Sequence, residues 1–151
     1  MDNPTKIVCA VDVNQFDQKQ VDLAAMFANL ENALLEIVHV TVFPEFEGME
    51  LPGYRGSPAA IIDDGAKLQQ VEPSIPVKRL TRIHLSGGPA KRLLKHVQDE
   101  PPILLVLGCR PHSAAGQLLG SVSAVVLRRA ACPVLVWKSE AGTSEHNVQA
   151  I

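Results

Sequence analysis

The sequence predicts one doubly wound α/β domain, in which four helices flank a parallel sheet of five strands. Short apolar and β-branched runs alternate along the chain with segments of helical periodicity, which is the pattern of this fold class. Residues 103–107 are apolar throughout, as expected of a strand that is covered on both faces of a parallel sheet. Hydrophobic residues make up 46% of the 151 residues, enough for one packed domain.

The first three elements are a strand, a helix and a strand. Residues 6–12 form a short apolar run that ends in the carboxylate of Asp12, as in a buried strand. Apolar residues recur at helical spacing over 14–30 and predict the first helix. Residues 34–42 are rich in β-branched side chains and predict the second strand.

A loop, a helix and an edge strand follow. Residues 43–56 contain three glycines and two prolines and predict a long irregular loop, of a length that is often functional. Ser57 and Pro58 are typical of a helix start, and this second helix is predicted to reach about residue 71. Residues 77–83 alternate with polar side chains and predict the third strand at a sheet edge. Its basic residues are interpreted as a solvated face; they are Lys78, Arg79 and Arg82.

The C-terminal part continues the alternation. Residues 86–88 are interpreted as a turn before Pro89, which opens a third helix with an apolar stripe at i, i+3, i+4 and i+7. The remaining elements are a fourth strand at 103–107, a loop from Gly108 to Leu119, a helix over 121–131 and a fifth strand at 133–137. We expect one domain over residues 1–138 and a polar tail over 139–151.

Composition and charge exclude several classes of partner. The net charge of −2 gives no electrostatic reason to expect nucleic acid or an anionic membrane surface. No apolar run approaches the ~20 residues that span a bilayer, and the polar N-terminus has no signal-peptide pattern. The three cysteines and five histidines lack metal-ligand spacing, so no metal site is predicted. We therefore expect a cytoplasmic protein.

Glycines and polar residues collect where doubly wound sheets bind ligands, at the carboxyl ends of the strands. Asp12 follows the first strand, and Gly108 follows the fourth. Gly120 and Ser121 lie at a helix start, where N–H groups and the helix dipole favour an anion. Together they predict a nucleotide phosphate site. Taken singly, Asp12 is equally well interpreted as a helix cap, Gly108 as a strand-end turn, and Gly120 with Ser121 as a cap.

The chain resembles the universal stress protein family in several segments, of which 118–137 is the most specific. The matching residues are 6–12, IVHV at 37–40, Gly88 and Pro89, LLVLG at 104–108, and LLGSV and CPVLVW within 118–137. The resemblance covers the chain to about Lys138. It implies an adenine nucleotide alpha hydrolase-like, Rossmann-like sheet and a homodimer, often formed by antiparallel pairing of the last strands, here Val134 to Trp137.

The resemblance also implies roles for single residues. In members of the family that bind ATP, the aspartate after the first strand and the end of the second hold the adenine side; Asp12 and Val40 occupy those positions. Their phosphate loop follows G-x2-G-x9-G-[ST], but Pro111 stands at the second glycine here and the loop is one residue shorter. The predicted cofactor-binding residues are Asp12, Val40, Gly108, Arg110, Gly120, Ser121 and Val122.

Pro111 weakens the prediction of tight triphosphate binding, because proline has no N–H and a fixed φ. Three hypotheses remain open. The first is a regulatory module that binds ATP or another adenine nucleotide weakly, with Mg²⁺ carried by the phosphates. The second is a dimeric interaction protein without a nucleotide. The third is a nucleotide hydrolase or transferase, for which only His112 is placed as a base. No nucleophile, base and orienting group come together in the sequence, so a non-enzyme is predicted.

Two further residues have competing interpretations. His39 lies within the second strand and is interpreted as packed rather than as a ligand. Cys109 is either a reactive thiol, activated by Arg110 and a helix N-terminus, or a residue packed beneath the loop.

Overall fold

One sheet of five parallel strands organises the chain, as the computed structural model shows for residues 4–42, 58–109 and 120–139. The strands are β1 (Lys6–Ala10), β2 (Leu34–Val42), β3 (Leu80–Gly87), β4 (Leu104–Cys109) and β5 (Val134–Lys138). The helices are α1 (Gln18–Leu30), α2 (Pro58–Gln69), α3 (Pro89–Asp99) and α4 (Ser121–Arg129). The strand order is β3-β2-β1-β4-β5, which confirms the predicted doubly wound α/β class.

Helices cover both faces of the sheet because successive side chains of each strand point to opposite sides. On one face, Cys9 and Ile37 pack in a core with the buried side of α1 and with Leu68 of α2. On the other face, Val8 and Val38 pack with residues of α3 and α4. The central strands are therefore buried on both sides, as their continuous apolar runs predict.

The strand order reverses beside β1, which has a partner on each side. Cys9 of β1 is opposite Ile37 of β2 and also opposite Val106 of β4. The chain runs outward from β1 through β2 to β3 and then returns to β4 on the other side. Such a reversal opens a crevice at the carboxyl ends of the strands, where α/β sheets bind ligands.

The third strand differs from its prediction at 77–83. It begins at Leu80 and continues to Gly87, because it pairs in register with the long strand β2 over the whole length from Leu80 to Gly87. Ser86 and Gly87 therefore belong to the strand, so the interpretation of 86–88 as a turn was wrong for these two residues. Gly87 has a φ of 130°, a conformation that favours glycine, and Gly88 is the N-cap of α3.

The basic residues near β3 form specific hydrogen bonds. Arg82 is half-buried and donates two hydrogen bonds to the Val71 carbonyl, at 3.1 and 2.9 Å, so its interpretation as part of a solvated face was wrong. Lys78 and Arg79 are exposed, as predicted, and donate to the side chain and the carbonyl of Asn32. These bonds attach the start of β3 to the segments before it.

Several other boundaries shift by a few residues. The first helix begins at Gln18 rather than at residue 14, because Asp17 is its N-cap and accepts from the Lys19 amide at 2.9 Å. The other Asp17 oxygen accepts from the indole nitrogen of Trp137 at 3.0 Å, which joins the start of α1 to β5. The second helix ends at Gln69, and α4 begins at the predicted Ser121 and ends at Arg129. None of the helices in the described ranges has the length and apolar character needed to cross a membrane.

Candidate ligand-binding cleft

Two adjoining cavities open at the carboxyl end of the sheet. The larger has a volume of about 800 Å³ and lies over the ends of β1 and β2; the smaller, of about 420 Å³, lies between β1, β4 and the start of α4. Both are lined by Ala10, Asp12, Gly108 and Val122. The cavities therefore meet at the point where the strand order reverses.

Six of the seven residues predicted to hold a cofactor surround these cavities. Asp12, Gly108 and Val122 line both of them, whereas Val40 lines the larger. Gly120 and Ser121 line the smaller. Arg110 lies outside the described residues, as do Pro111 and His112. The part that the six residues play in binding a ligand stays a prediction.

Asp12 organises a tight turn between β1 and α1. One of its carboxylate oxygens accepts from the Asn14 amide at 3.0 Å, and the other accepts from the Gln15 side chain at 3.3 Å. The Gln15 amide also donates to the Asp12 carbonyl at 3.0 Å. Its interpretation as the cap of the first helix was wrong, since Asp17 is that cap. The exposed Asp12 carboxylate keeps acceptor capacity for a ligand.

The N-terminus of α4 faces the smaller cavity without a side-chain cap among the described residues. The interpretation of Gly120 with Ser121 as a helix cap is confirmed for Gly120, which is the N-cap with φ −67° and ψ 166°, whereas Ser121 is the first residue of the helix and does not cap it. Apart from Gly120 and its chain neighbours, no described residue has an atom within 4 Å of the point that a Cβ on Gly120 would occupy. The first N–H groups of a helix and its dipole attract an anion, and this helix end therefore suits a phosphate.

Gly108 belongs to β4 rather than to a loop and lies opposite Trp137. A Cβ at this position would lie 2.4 Å from Gln20 Oε1. Gln20 is buried in α1 and donates to the Ala10 carbonyl at 2.8 Å. A glycine is therefore needed for the packing of α1 against the sheet, beneath the junction of the two cavities.

Four side chains form a polar cluster between the sheet and α2: His39, Thr41, Asp64 and His84. His39 Nε2 lies 2.9 Å from Asp64 Oδ2, and Thr41 Oγ1 lies 2.8 Å from the same oxygen. His84 Nε2 lies 2.7 Å from Thr41 Oγ1. All of these except His84 line the larger cavity. His39 is packed, as predicted, but it also contacts a buried carboxylate.

The charge states of the polar cluster follow from its hydrogen bonds. Burial raises the pKa of Asp64, but the hydrogen bonds from His39, Thr41 and Asn14 outweigh it and hold that pKa below its usual value. Burial lowers the pKa of His84, and the neighbouring His39 lowers it further, against the opposing effect of Asp64. Asp64 is therefore a carboxylate at neutral pH. The imidazole of His84 is uncharged at the same pH.

No sequence pattern indicates a functional role for Asp64, because a single aspartate in a mixed helix resembles a surface residue. The pairing of two histidines was accessible in principle, since His39 and His84 are opposite each other in the parallel register of β2 and β3. That register depends on the actual start of β3. The contact with α2 depends on tertiary packing, which no local pattern specifies.

The polar cluster lacks the arrangement of a catalytic triad. Thr41 contacts both His84 and Asp64, but Asp64 contacts His39 and not His84. A nucleophilic hydroxyl needs one histidine that contacts both the hydroxyl and the carboxylate. Among the described residues this cluster therefore does not form such a chain.

The cysteines of the chain are all within the described residues, and no disulfide joins them. Cys109 is 6% exposed at the end of β4, in accordance with the packed interpretation. Burial raises the pKa of Cys9 to about 12, so its thiol is protonated at neutral pH.

Comparison with known proteins gives one family. A profile of the universal stress protein family matches residues 4–138. Universal stress protein YxiE of Bacillus subtilis (strain 168) is 28% identical over 146 residues, which cover 87% of this chain and 97% of that protein. Universal stress protein A homolog 1 of Coxiella burnetii is 29% identical over 147 residues, which cover 89% of this chain and 96% of that protein.

Solved structures share the fold. The crystal structure of a universal stress protein in complex with cAMP has a TM-score of 0.59 at 24% identity, over 92% of this chain and 100% of that one. A universal stress protein from Archaeoglobus fulgidus in complex with dAMP has a TM-score of 0.56 at 18% identity, over 87% and 96%. Since the family profile matches most of its length, the chain belongs to the universal stress protein family.

Proposed function

We propose that the protein is a regulatory module of the stress response that binds an adenine nucleotide in the two adjoining cavities. The observation that carries this function is the joint position of Asp12, Gly108 and the start of α4 around one cleft, where no described side chain caps the helix. Cavities of 300–1,000 Å³ are typical of small-molecule sites. Two structural neighbours, solved in complex with cAMP and with dAMP, support the same class of ligand.

The phosphate is held at the start of α4 and the base lies near Asp12 and Val40. A nucleotide with one phosphate suits the chain better than a triphosphate. Pro111 removes one backbone donor from the loop that family members use for ATP, and the loop is one residue shorter. If a di- or triphosphate binds, Mg²⁺ comes with its phosphates, and Asp12 stays on the base side.

The first experiment identifies the ligand. Freshly purified protein is denatured, and the released small molecules are analysed by mass spectrometry. Thermal unfolding is then measured with AMP, cAMP, ADP and ATP, each with and without magnesium. We expect a rise in melting temperature with at least one of them. An unchanged melting temperature with all four at saturating concentration would contradict nucleotide binding and favour the interaction-protein hypothesis.

A charge variant tests the position of the phosphate. Ser121→Asp places a carboxylate at the first turn of α4, where it repels a phosphate but interacts favourably with the helix dipole. We expect at least tenfold weaker AMP binding and an unchanged or higher melting temperature without ligand. Gln70→Glu is the control, because it adds the same charge at an exposed position that lines neither cavity. Equal binding by both variants would move the phosphate away from α4.

The second function concerns the sheet edge. We also infer that the protein forms a homodimer through β5, since this outer strand is apolar from Val134 to Trp137 and pairs with β4 on one side only among the described strands. Val134→Lys is expected to give a monomer in sedimentation velocity. Thr81→Lys, on the opposite edge strand β3, is the control and keeps the dimer. A wild-type monomer at micromolar concentration would contradict the dimer.

We infer a cytoplasmic location, which the absence of a disulfide among the three cysteines supports. We also infer a non-enzymatic role. Phosphate release from ATP that is sustained by the wild type and abolished in His112→Ala would contradict that role.

A further inference from the structure

The polar cluster has the composition of a transition-metal site. The nearest ligand atoms of His39, Asp64 and His84 all lie within 4.8 Å of one another. The three side chains come from β2, α2 and β3, so each is held by a separate regular element. His39 and Asp64 are only 4% and 7% exposed. Hydrogen bonds already stabilise the buried Asp64 carboxylate, and a metal ion would add a positive charge beside it.

His39 has a backbone group that can fix its ring for metal binding. Its Nδ1 lies 3.1 Å from the Val11 carbonyl oxygen and 3.3 Å from the Val13 amide nitrogen. With the proton on Nε2, that nitrogen donates to Asp64 and Nδ1 accepts from Val13. With the proton on Nδ1, Val11 accepts it and the Nε2 lone pair is directed at the cluster. Metal-binding histidines commonly donate their second N–H to a backbone carbonyl in this way.

One tautomer of His84 leaves the cluster with more acceptors than protons. In the other tautomer, His84 Nε2–H donates to Thr41 Oγ1, which in turn donates to Asp64 Oδ2. The single hydroxyl proton of Thr41 can serve either Asp64 Oδ2, at 2.8 Å, or His84 Nε2, at 2.7 Å, but not both. When His84 also carries its proton on Nδ1, one lone pair remains without a donor. An ion between the imidazoles and the carboxylate satisfies these lone pairs together.

No lysine or arginine of the described residues neutralises Asp64. Lys67 is near, but its ammonium group contacts Asp63 at 3.0 Å and Asn14 at 2.6 Å. Asn14 in turn donates to Asp64 Oδ1 at 3.1 Å, which orients the carboxylate and leaves Oδ2 directed at the histidines. The cluster is thus arranged around one oxygen with a negative charge and two nitrogen ligands.

We propose that His39, Asp64 and His84 bind one Zn²⁺, with a fourth coordination position open to the larger cavity. Two imidazoles and one carboxylate form a borderline donor set that suits Zn²⁺ rather than Mg²⁺ or Ca²⁺. Bonds of about 2.0–2.1 Å place tetrahedral ligands about 3.3 Å apart, so the present 4.8 Å limit closes by at most about 1.5 Å. His39, Thr41 and Asp64 line the cavity, which leaves room there for water or a ligand atom.

The test is Zn²⁺ binding by the full chain after chelator treatment and without nucleotide. Isothermal calorimetry is expected to give one Zn²⁺ per chain, with a dissociation constant in the micromolar range or below. His84→Gln should weaken binding at least tenfold. His96→Gln is the matched control, because it removes a histidine on α3, at the other end of the sheet, and should leave the affinity unchanged.

Two further measurements keep the test decisive if His84→Gln fails to fold. Thr41→Val keeps all three ligands but removes the hydroxyl beside them, and it should weaken binding about tenfold. Co²⁺ in the wild type should give the intense visible absorption of four-coordinate cobalt. Absence of Zn²⁺ binding, weak octahedral-type cobalt absorption, or equal affinity in His84→Gln would overturn the proposed site; equal affinity would assign the ion to ligands elsewhere in the chain.

Discussion

Both ends of the sheet carry a buried carboxylate beside a histidine, but among the described residues only the carboxylate at the amino end also contacts a lysine. At the amino end, Lys6 Nζ lies 3.4 Å from Glu36 and 3.1 Å from Glu100, and His96 also contacts Glu36. At the carboxyl end, Asp64 contacts one imidazole, a hydroxyl and an amide, and it borders a cavity of about 800 Å³. A buried anion that meets a lysine serves stability, whereas an anion that meets only histidine, hydroxyl and amide groups beside a cavity remains able to bind a further cation.

The largest expected effect is on the amino end. Lys6→Met removes the buried cation and leaves Glu36 with His96 alone, which should lower the free energy of unfolding by about 3 kcal/mol at pH 7. Denaturant unfolding measures the change. Lys95→Met is the control, since it breaks an exposed pair with Asp99 that is worth about 0.3–0.5 kcal/mol. Similar losses of unfolding free energy in the two variants would show that the buried contacts of Lys6 stabilise the protein no more than the exposed pair of Lys95 and Asp99.

Two glycines of the cleft should respond differently to the same change. Gly108→Ala forces Gln20 away from the Ala10 carbonyl, and we expect a loss of about 2 kcal/mol in unfolding free energy. The alanine side chain in Gly120→Ala meets no described residue within 4 Å other than its chain neighbours, and the φ of −67° suits alanine, so we expect a loss below about 1 kcal/mol. Thermal unfolding of the two variants gives the comparison. Equal losses of unfolding free energy would mean that Gln20 can move away from residue 108 without destabilising the protein.

At the carboxyl end, Thr41→Val should be less destabilising than the loss of Lys6. The valine keeps the size and β-branching of threonine but loses the hydroxyl between Asp64 and His84, at an expected cost of about 1.5 kcal/mol. Thr81→Val on the exposed side of β3 is the control, with an expected change within about 0.5 kcal/mol. A loss of unfolding free energy in Thr41→Val as large as that in Lys6→Met would show that the polar groups at the carboxyl end contribute as much to stability as those at the amino end.

The smallest effect concerns the pH dependence of stability. Burial raises the pKa of Glu36, but the His96 hydrogen bond and the Lys6 charge outweigh it and hold that pKa below its ordinary 4.5. The contribution of Glu36 is therefore complete above about pH 5 and is lost as the pH falls through the lower folded-state pKa. Denaturant unfolding from pH 7 to pH 3 should show a shallower decline for Glu36→Gln than for the wild type.

A residual decline is expected in Glu36→Gln as well. Asp17, Asp22 and Asp64 also have pKa values held below the usual range, and each loses its contribution in acid. An identical slope in the wild type and in Glu36→Gln would show that Glu36 is not a source of acid sensitivity.

Local pattern predicted the fold well. The bounds of β2 and the start of α4 at Ser121 follow from β-branched composition and from a Gly-Ser helix start. The end of β3 did not follow from local pattern, since pairing with β2 extends that strand through Ser86 and Gly87. Alternation of side chains indicates a strand but does not indicate where its partner ends.

The site was predictable where a strand end determines it. Asp12, Val40 and Gly108 reach the cleft because parallel strands end at one edge, and this follows from topology. The contact of His39 with Asp64 joins residues 25 positions apart, and it requires the packing of α2 on β2. Arg110 and Pro111 lie outside the described residues, so the structure does not test the predicted loss of triphosphate binding.

The bond between Trp137 and Asp17 gives the protein an intrinsic optical reporter. Trp137 is the chain's single tryptophan, and its indole lies on the outer strand β5 while its N–H donates to the residue that caps α1. Asp17 also lines the smaller cavity. If the proposed function and dimer hold, we expect indole emission to respond both to a phosphate beside α4 and to a second chain that pairs with β5. Dilution separates the two signals, because only the second depends on protein concentration.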